Sequence, residues 1–152
     1  MFITFISYSC KAQIIPQNNA YIEIPSGAYI KDTENFLDNF VGTWKYQNGN
    51  EEFIIIINKQ LYYNYDSWFE DILIGEYSYT SSNGQLIVNT LPYINSNLDP
   101  LYHNISGATS LVRLQHPLCA DCGIYEYRIK SSINDPDRPY QDLAIIFRSI
   151  SS

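Results

Sequence analysis

The residues best suited to chemistry are two cysteines, Cys119 and Cys122, in the segment His-Pro-Leu-Cys-Ala-Asp-Cys-Gly. In an oxidising compartment, two neighbouring cysteines most often form a disulfide, which would here pin a loop between two strands. A zinc site would combine both thiolates with His116 and His103, but only one half of the usual four-ligand spacing is present. A redox-active pair needs a helix N-terminus to lower the thiol pKa, whereas the flanking residues have a strand pattern. The sequence favours the disulfide and leaves the other two open.

A third cysteine, Cys10, follows an apolar run that resembles the end of a lipoprotein signal peptide. The run is short and has no basic residues before it, which a start codon further upstream would explain. Cleavage before Cys10 would leave an N-terminal cysteine carrying lipid, and two or more acyl chains hold a protein on a membrane. We therefore expect lipid attachment at Cys10 and a location in the cell envelope. The alternative is a first strand with a buried thiol.

The remaining polar residues do not form a recognisable catalytic set. Glu70 and Asp71 are adjacent, as are Glu51 and Glu52, so in a strand each pair points to opposite faces and cannot converge on one substrate. We expect both pairs to lie at solvated edges. Residues 134–139 lack the ligand count and glycine pattern of a calcium loop, and a stiff hairpin loop fits them better. The sequence predicts a protein that is not an enzyme and that uses no cofactor and no metal.

Composition excludes several classes of protein. The chain has 152 residues, of which 45% are hydrophobic, and a formal net charge of −7. An acidic chain with no basic cluster argues against a nucleic-acid partner. The longest apolar run, residues 53–57, is far shorter than the roughly 20 residues of a transmembrane helix. The length suits one domain, and we expect a monomer.

Aromatic and β-branched residues indicate an all-β fold. The chain contains 14 Tyr, 7 Phe and 2 Trp. Segments such as 76–80 and 125–130 alternate between apolar and polar residues, which predicts strands with one face buried and the polar face exposed to water. Asn-Gly pairs at 48–49 and 83–84 predict tight hairpins. The pattern predicts eight strands at about 44–47, 52–58, 61–66, 71–80, 85–91, 109–116, 123–130 and 142–150, with one long loop over 92–108.

Eight strands at this spacing predict an up-and-down antiparallel barrel. A short helix precedes them, capped by Asp32 or Thr33, with Leu37, Phe40 and Val41 on one face. We expect three zones: residues 1–10 as a truncated signal segment, 11–31 as a polar tether with an edge strand near 21–24, and 32–152 as the barrel domain.

Two resemblances follow. The segment 40–45, Phe-Val-Gly-Thr-Trp-Lys, resembles the opening motif of the lipocalin and fatty-acid-binding protein superfamily. That resemblance implies that Gly42 and Trp44 begin the first barrel strand, that Trp44 plugs one barrel end and that Arg148 packs over it. The whole chain also resembles a family of uncharacterised Bacteroidota envelope proteins, through residues 10–13, 40–46 and 71–77, and this resemblance implies no activity.

Two functions fit the predicted barrel. In the first, Tyr and Ile side chains line an interior or a mouth that binds a small apolar or amphipathic ligand. In the second, the barrel is filled and serves as a structural or protein-interaction module of the envelope. A cavity above about 300 Å³ favours the first function. Large interior aromatics favour the second: Tyr62, Tyr63, Tyr77, Tyr79, Tyr125 and Tyr127.

Overall fold

The fold is a single mixed β-sheet. The computed structural model describes residues 12–17, 23–111, 117–123, 126, 128–136, 138 and 143–148. Within these residues, nine strands form one sheet, and three short 3₁₀ helices lie at Phe36–Phe40, Leu91–Asn95 and Pro100–Tyr102. The strands are β1 (Ile14–Pro16), β2 (Tyr29–Lys31), β3 (Gly42–Asn48), β4 (Glu51–Asn64), β5 (Phe69–Thr80), β6 (Leu86–Asn89), β7 (Ile105–Leu111), β8 (Arg128–Ile133) and β9 (Leu143–Arg148).

Strand β5 organises the sheet. One of its edges pairs with β4 along nearly its whole length. The other edge pairs in succession with β2, β7 and β6. The pairs β1–β2 and β2–β5 are parallel, and the other pairs are antiparallel.

The predicted up-and-down barrel is not found, because the sheet is mixed and does not close on itself. An up-and-down barrel needs consecutive strands to be neighbours around a ring. Here β2, β7 and β6 share one edge of β5, of these three only β6 follows β5 directly in the chain, and β1 and β2 enter in parallel. The all-β fold class is confirmed in its coarse form.

The two predicted Asn-Gly hairpin turns are confirmed. Tight turns containing Gly49 and Gly84, both at positive φ, connect β3 to β4 and β5 to β6. The predicted strands 52–58 and 61–66 are instead one strand, β4, because a bulge between Gln60 and Tyr63 absorbs the irregularity. Tyr62 lies in this bulge at φ 55°.

Part of the predicted tether belongs to the sheet. Both β1 and β2 fall within residues 11–31, and Ile15, Ala28 and Ile30 are buried. This part of the tether prediction is wrong, since these residues bury apolar surface against the domain. The edge strand was predicted at 21–24, of which residues 21 and 22 lie outside the described residues, as do residues 1–11.

The core lies on the sheet face that carries Ile55, Ile57 and Tyr77, which we call the inner face. The first 3₁₀ helix covers one end of it with Leu37 and Phe40. Asp32 caps this helix as predicted, since its carboxylate accepts hydrogen bonds from the N–H groups of residues 36 and 37 at 2.8 and 3.0 Å. Val41, predicted to share the apolar face, is exposed.

The opposite, outer face of β5 is covered as well. Glu76 and Ser78 were predicted to point into water, but both are buried, with Glu76 fully inaccessible. His103 and Asn104, just after the third 3₁₀ helix, lie against Glu76. In the part of the chain described, no helix has the length and apolar character needed to cross a membrane.

Candidate functional site

Cross-strand rows of side chains build the inner face. Residues directly opposite each other in a sheet share a face. One row runs from Tyr46 through Phe53 and Tyr79 to Val88, across β3 to β6. The next row on this face contains Trp44, Ile55 and Tyr77, and a third contains Gly42, Ile57 and Gly75.

Gly75 determines which part of this face is tightly packed. A Cβ atom at this position would lie 2.6 Å from Ile57 Cδ1 and 2.7 Å from the carbonyl oxygen of Ile56. Glycine therefore allows Ile57 and Ile105 to close the core at this end. The row that contains Phe53 and Tyr79 is the second row along the strands from Gly75, and it lies beyond the residues that fill the core.

A cleft of about 500 Å³ lies over that row. Its lining residues come from β4, β5, β6, the end of β8 and the loop that follows it: Phe53, Tyr77, Tyr79, Ile87, Val88, Ile133, Asp135 and Arg138. The volume exceeds the lower limit of about 300 Å³ for small-molecule sites. Six of the eight residues are apolar or aromatic, so the cleft suits an apolar ligand body.

Aromatic contacts hold the floor of the cleft in place. Phe53 lies between two tyrosines, with ring centroids 5.9 Å from Tyr77 and 6.3 Å from Tyr79. The Tyr79 hydroxyl donates to Glu51 Oε1 at 2.8 Å. This hydrogen bond, with a smaller contribution from burial, raises the pKa of Tyr79, so the hydroxyl stays protonated at neutral pH. Thr90 fixes β6 beside β5 through its bonds to the Tyr77 backbone, of 2.9–3.0 Å.

The polar end of the cleft carries a charged pair. Arg138 Nε lies 2.7 Å from Asp135 Oδ2. The Asp135 side chain is largely buried, whereas that of Arg138 is 62% exposed. An exposed guanidinium beside an apolar cleft can bind the polar group of an amphipathic molecule. Asp135 and Arg138, from the predicted hairpin loop at 134–139, thus form the polar edge of the cleft, and residues 137 and 139 lie outside the described residues.

The six tyrosines predicted to fill the interior lie in different parts of the structure. Tyr77 and Tyr79 do line the cleft. Tyr62 is about half exposed, and Tyr63 stacks edge-on against Tyr65 at the far end of β4. Tyr125 and Tyr127 lie outside the described residues. Phe53 and Val88, which complete the site, carried no signal because cross-strand register decides their position.

The predicted barrel plug is not formed. Trp44 is 50% exposed, and its indole N–H donates to the Phe40 carbonyl at 2.9 Å. Arg148 binds Glu126 and lies 2.6 Å from Asp121 Oδ2, next to the Cys119–Cys122 loop. The prediction that Arg148 packs over Trp44 is therefore wrong. The carboxylates of Asp121 and Glu126 satisfy the guanidinium, and their pKa values are lowered by Arg148.

The cysteine pair and the histidine have separate roles. Cys119 and Cys122 form the predicted disulfide. His103, the alternative zinc ligand, is buried, and its Nδ1 lies 2.9 Å from Glu76 Oε1. The two cysteines therefore do not combine with His103 in a metal site. His116 and Cys10 lie outside the described residues.

Sequence analysis missed a buried carboxylate at the start of β5. Asp71 is 1% exposed and accepts hydrogen bonds from the Tyr29 hydroxyl and the backbone N–H groups of Asp32 and Tyr62, at 2.6–3.0 Å. The prediction of a solvated edge at Glu70 and Asp71 is wrong for Asp71. Its donors come from residues 29, 32 and 62, so nothing in the local sequence could have shown the network.

The fold and cleft thus define an open β-sheet protein with an aromatic-lined cavity. The chain belongs to the Family of unknown function (DUF6705), whose model matches residues 1–148. No curated protein and no solved structure matches the chain.

Proposed function

We propose that the protein binds a small apolar or amphipathic ligand in the cleft over Phe53, Tyr77 and Tyr79 and that it performs no catalysis. The observation that carries this proposal is an apolar cavity of about 500 Å³ next to, but not filled by, the hydrophobic core. Arg138 at its edge supports an amphipathic ligand with a negatively charged group. Tyr46 and Trp44 extend the apolar surface on the same face of β3.

A titration with a fluorescent naphthalene sulfonate, an amphipathic anion, tests this proposal. We expect saturable binding of one probe per chain. Val88→Trp places an indole in the cleft and should weaken binding about tenfold or more, since well-placed apolar contacts dominate such sites. Val41→Trp adds the same group at an exposed position outside the cleft and should leave binding unchanged.

Arg138→Gln distinguishes the polar group of the ligand from its apolar body. We expect this variant to weaken binding of the sulfonate but not of an uncharged naphthalene probe. Equal affinities in the native chain, Val88→Trp and Val41→Trp would contradict the proposal. If binding is lost in Val88→Trp alone, native mass spectrometry of the protein from its own source would identify the natural ligand as a co-purifying small mass.

We further propose that lipid on Cys10 holds the domain at the cell envelope. Support comes from the sequence alone, through the apolar run before Cys10. Expression with a complete upstream leader, followed by mass spectrometry, tests it. A diacylated Cys10 is the expected result, and an unmodified Cys10 with residues 1–9 retained would refute it.

A second candidate function is binding of an envelope protein through β3. Strand β3 pairs with β4, and no strand among the described residues pairs with its other edge. Trp44 and Tyr46 are exposed on one face of this edge strand. An extended segment of a partner protein could add to such an edge. Loss of partner binding in Tyr46→Lys, with probe binding in the cleft retained, would favour this candidate.

A further inference from the structure

A second cleft, which we call the outer cleft, lies on the outer face of the sheet over β7 and β8. Its volume is about 470 Å³, within the range of small-molecule sites. The cleft of the proposed function lies on the inner face and has different lining residues. The outer cleft is lined by residues of β7, β8, the β4–β5 connection and the third 3₁₀ helix: Tyr65, Leu101, Ser106, Gly107, Thr109, Leu111, Lys130 and Ser132.

A bulge in β7 brings the polar groups of the outer cleft onto one face. Residues three apart in a regular strand point to opposite faces. Here Ser106 is opposite Ser132 and Thr109 is opposite Lys130, with a register shift between the two pairs. Because Lys130 and Ser132 are two residues apart on β8, all four side chains share the outer face. Cβ atoms of opposite residues lie about 5 Å apart, and the two pairs lie about 7 Å apart along the strand.

The other walls of the outer cleft are aromatic and aliphatic, and they are connected to each other. The Tyr65 ring stacks on Trp68, with centroids 5.1 Å apart and an interplanar angle of 14°. Tyr63 packs edge-on against Tyr65 at 4.8 Å, and its hydroxyl donates to Asp99 Oδ1 at 3.0 Å. Asp99 also accepts from the N–H of Leu101 at 3.0 Å. These contacts hold the turn that carries Tyr65 next to the helix that carries Leu101.

This combination of groups suits a sugar ring. Sugar hydroxyls both donate and accept hydrogen bonds, as serine and threonine hydroxyls do. The C–H groups of a pyranose form an apolar face, which packs well against an aromatic ring that has a polar tip, such as that of Tyr65. A purely apolar ligand would instead cover the hydroxyls of the lining without replacing their bonds to water.

Lys130 adds a preference for an acidic sugar. Its ammonium group supplies a positive charge and three donors but no acceptor, so a carboxylate is its strongest partner. The formal net charge of −7 opposes ligands that carry several negative charges. A ligand with one carboxylate satisfies both conditions.

We propose that the outer cleft binds a saccharide unit that carries one carboxylate, of the hexuronic acid class. Lys130 pairs with the carboxylate, and the hydroxyls of Ser106, Thr109 and Ser132 bond to the ring hydroxyls. Tyr65 packs against the C–H face of the ring. This site acts independently of the inner cleft, so each can be tested while the other is intact.

Amide-detected NMR of the full chain, titrated with three small probes, tests the proposal. Glucuronate has the sugar ring and the carboxylate, glucose has the ring alone, and acetate has the carboxylate alone. We expect glucuronate to shift the amide signals of β7 and β8 saturably, with glucose and acetate at least about tenfold weaker. Acetate or glucose binding as tightly as glucuronate would overturn the proposal, as would the absence of saturable shifts with glucuronate.

Lys130→Gln tests the charged group. We expect glucuronate to bind about tenfold more weakly, close to the affinity for glucose, while the affinity for glucose stays within about twofold. Lys45→Gln is the matched control, because it removes the same charge from an exposed position on β3, outside the cleft. Equal losses in the two variants would overturn the proposal, because they would show diffuse attraction of an anion.

Thr109→Val tests the hydroxyl groups. It removes one hydroxyl at nearly equal volume and keeps a β-branched residue at an exposed strand position, so the fold should be retained. We expect both sugars to bind about threefold to tenfold more weakly. Thr43→Val makes the same change at an exposed position on β3 and should leave both affinities unchanged. Sugar affinities in Thr109→Val equal to those of Thr43→Val would contradict the assignment.

Discussion

At the scale of single residues, buried acidic groups distinguish this protein from the solvated sheet that its sequence suggested. Asp71 is held by neutral donors, and burial, followed by the hydrogen bond to Asp71, raises the pKa of the Tyr29 hydroxyl well above its ordinary value. Tyr62 adopts a positive φ at the bulge, and its backbone N–H reaches Asp71 there. Positive φ is unfavourable for tyrosine, so the hydrogen bond offsets part of its cost.

Glu70 leads to a prediction about pH. Burial, followed by the charge of Asp71, raises its pKa, although hydrogen bonds from Trp68 and Gln17 act in the opposite direction. A carboxyl group with a raised pKa in the folded state stabilises below its ordinary pKa, and this contribution is lost as pH rises through the folded-state value. Ionised Glu70 therefore lowers the free energy of unfolding at neutral pH.

Glu70→Gln should consequently be more stable than the native chain at pH 7, because the amide is neutral and can still accept from Trp68. The difference should shrink as pH falls towards about 4, the ordinary glutamate range. Urea unfolding at the two pH values measures it. Glu52→Gln, which removes a surface partner of Lys45, is the control and should show no gain. A Glu70→Gln variant that is less stable at both pH values would contradict this account.

At the scale of elements, the segment 91–104 is attached to the outer face of β5 by a buried polar contact. Glu76 Oε1 lies 2.9 Å from His103 Nδ1, and Glu76 Oε2 accepts from Asn104 Nδ2 at 2.7 Å. The pattern at 76–80 predicted a wet face, since alternation cannot show that a later segment will cover it. The strand register and the covering of this face by residues 91–104 both depend on contacts between residues distant in the sequence. The two Asn-Gly turns depend on local chemistry and were therefore predictable.

Glu76→Ala should release this segment. The substitution leaves buried His103 and half-buried Asn104 without their acceptor, and a buried donor left unpaired costs about 1–3 kcal/mol. We expect a lower unfolding free energy and faster protease cleavage within 91–104. Asn97→Ala, at an exposed position of the same segment, should change stability by less than about 0.5 kcal/mol. Equal cleavage rates in the two variants would contradict the attachment.

At the scale of the whole molecule, the N-terminal segment is part of the folded unit. Composition alone suggested a tether, because residues 11–31 contain two prolines, a glycine and many polar side chains. The segment nevertheless buries Ile15 and Ile30 and donates the Tyr29 hydroxyl to Asp71. Short parallel strands of three residues carry too little periodicity to be recognised before the sheet is known.

A chain that begins at Asp32 should therefore be less stable than one that begins at Ala12. Loss of the buried Ile15, Ala28 and Ile30 side chains should cost about 3 kcal/mol or more, at about 1.5–3 kcal/mol for each isoleucine. Urea unfolding followed by tryptophan fluorescence compares the two chains. Equal midpoints would show that the segment is a tether after all.

The sequence predicts that the cleft has an aromatic lining, but it does not predict all of the residues that form that lining. Tyrosine-rich strands indicated an aromatic lining, and Tyr77 and Tyr79 provide it. Phe53 and Val88 join them only through the register of three strands, β4, β5 and β6.

The shared edge of β5 sets the order in which the chain can fold. Strands β3, β4 and β5 are consecutive, so their pairing closes only short loops and can form early. The other edge of β5 pairs with β2, which is synthesised earlier, with β6 through a short hairpin, and with β7 from beyond residue 104. During synthesis, the middle of this edge, at Ile74 and Gly75, stays unpaired until β7 has left the ribosome. Early pairing with another nascent chain is the characteristic risk of such a strand, and β7 is the strand whose arrival ends it.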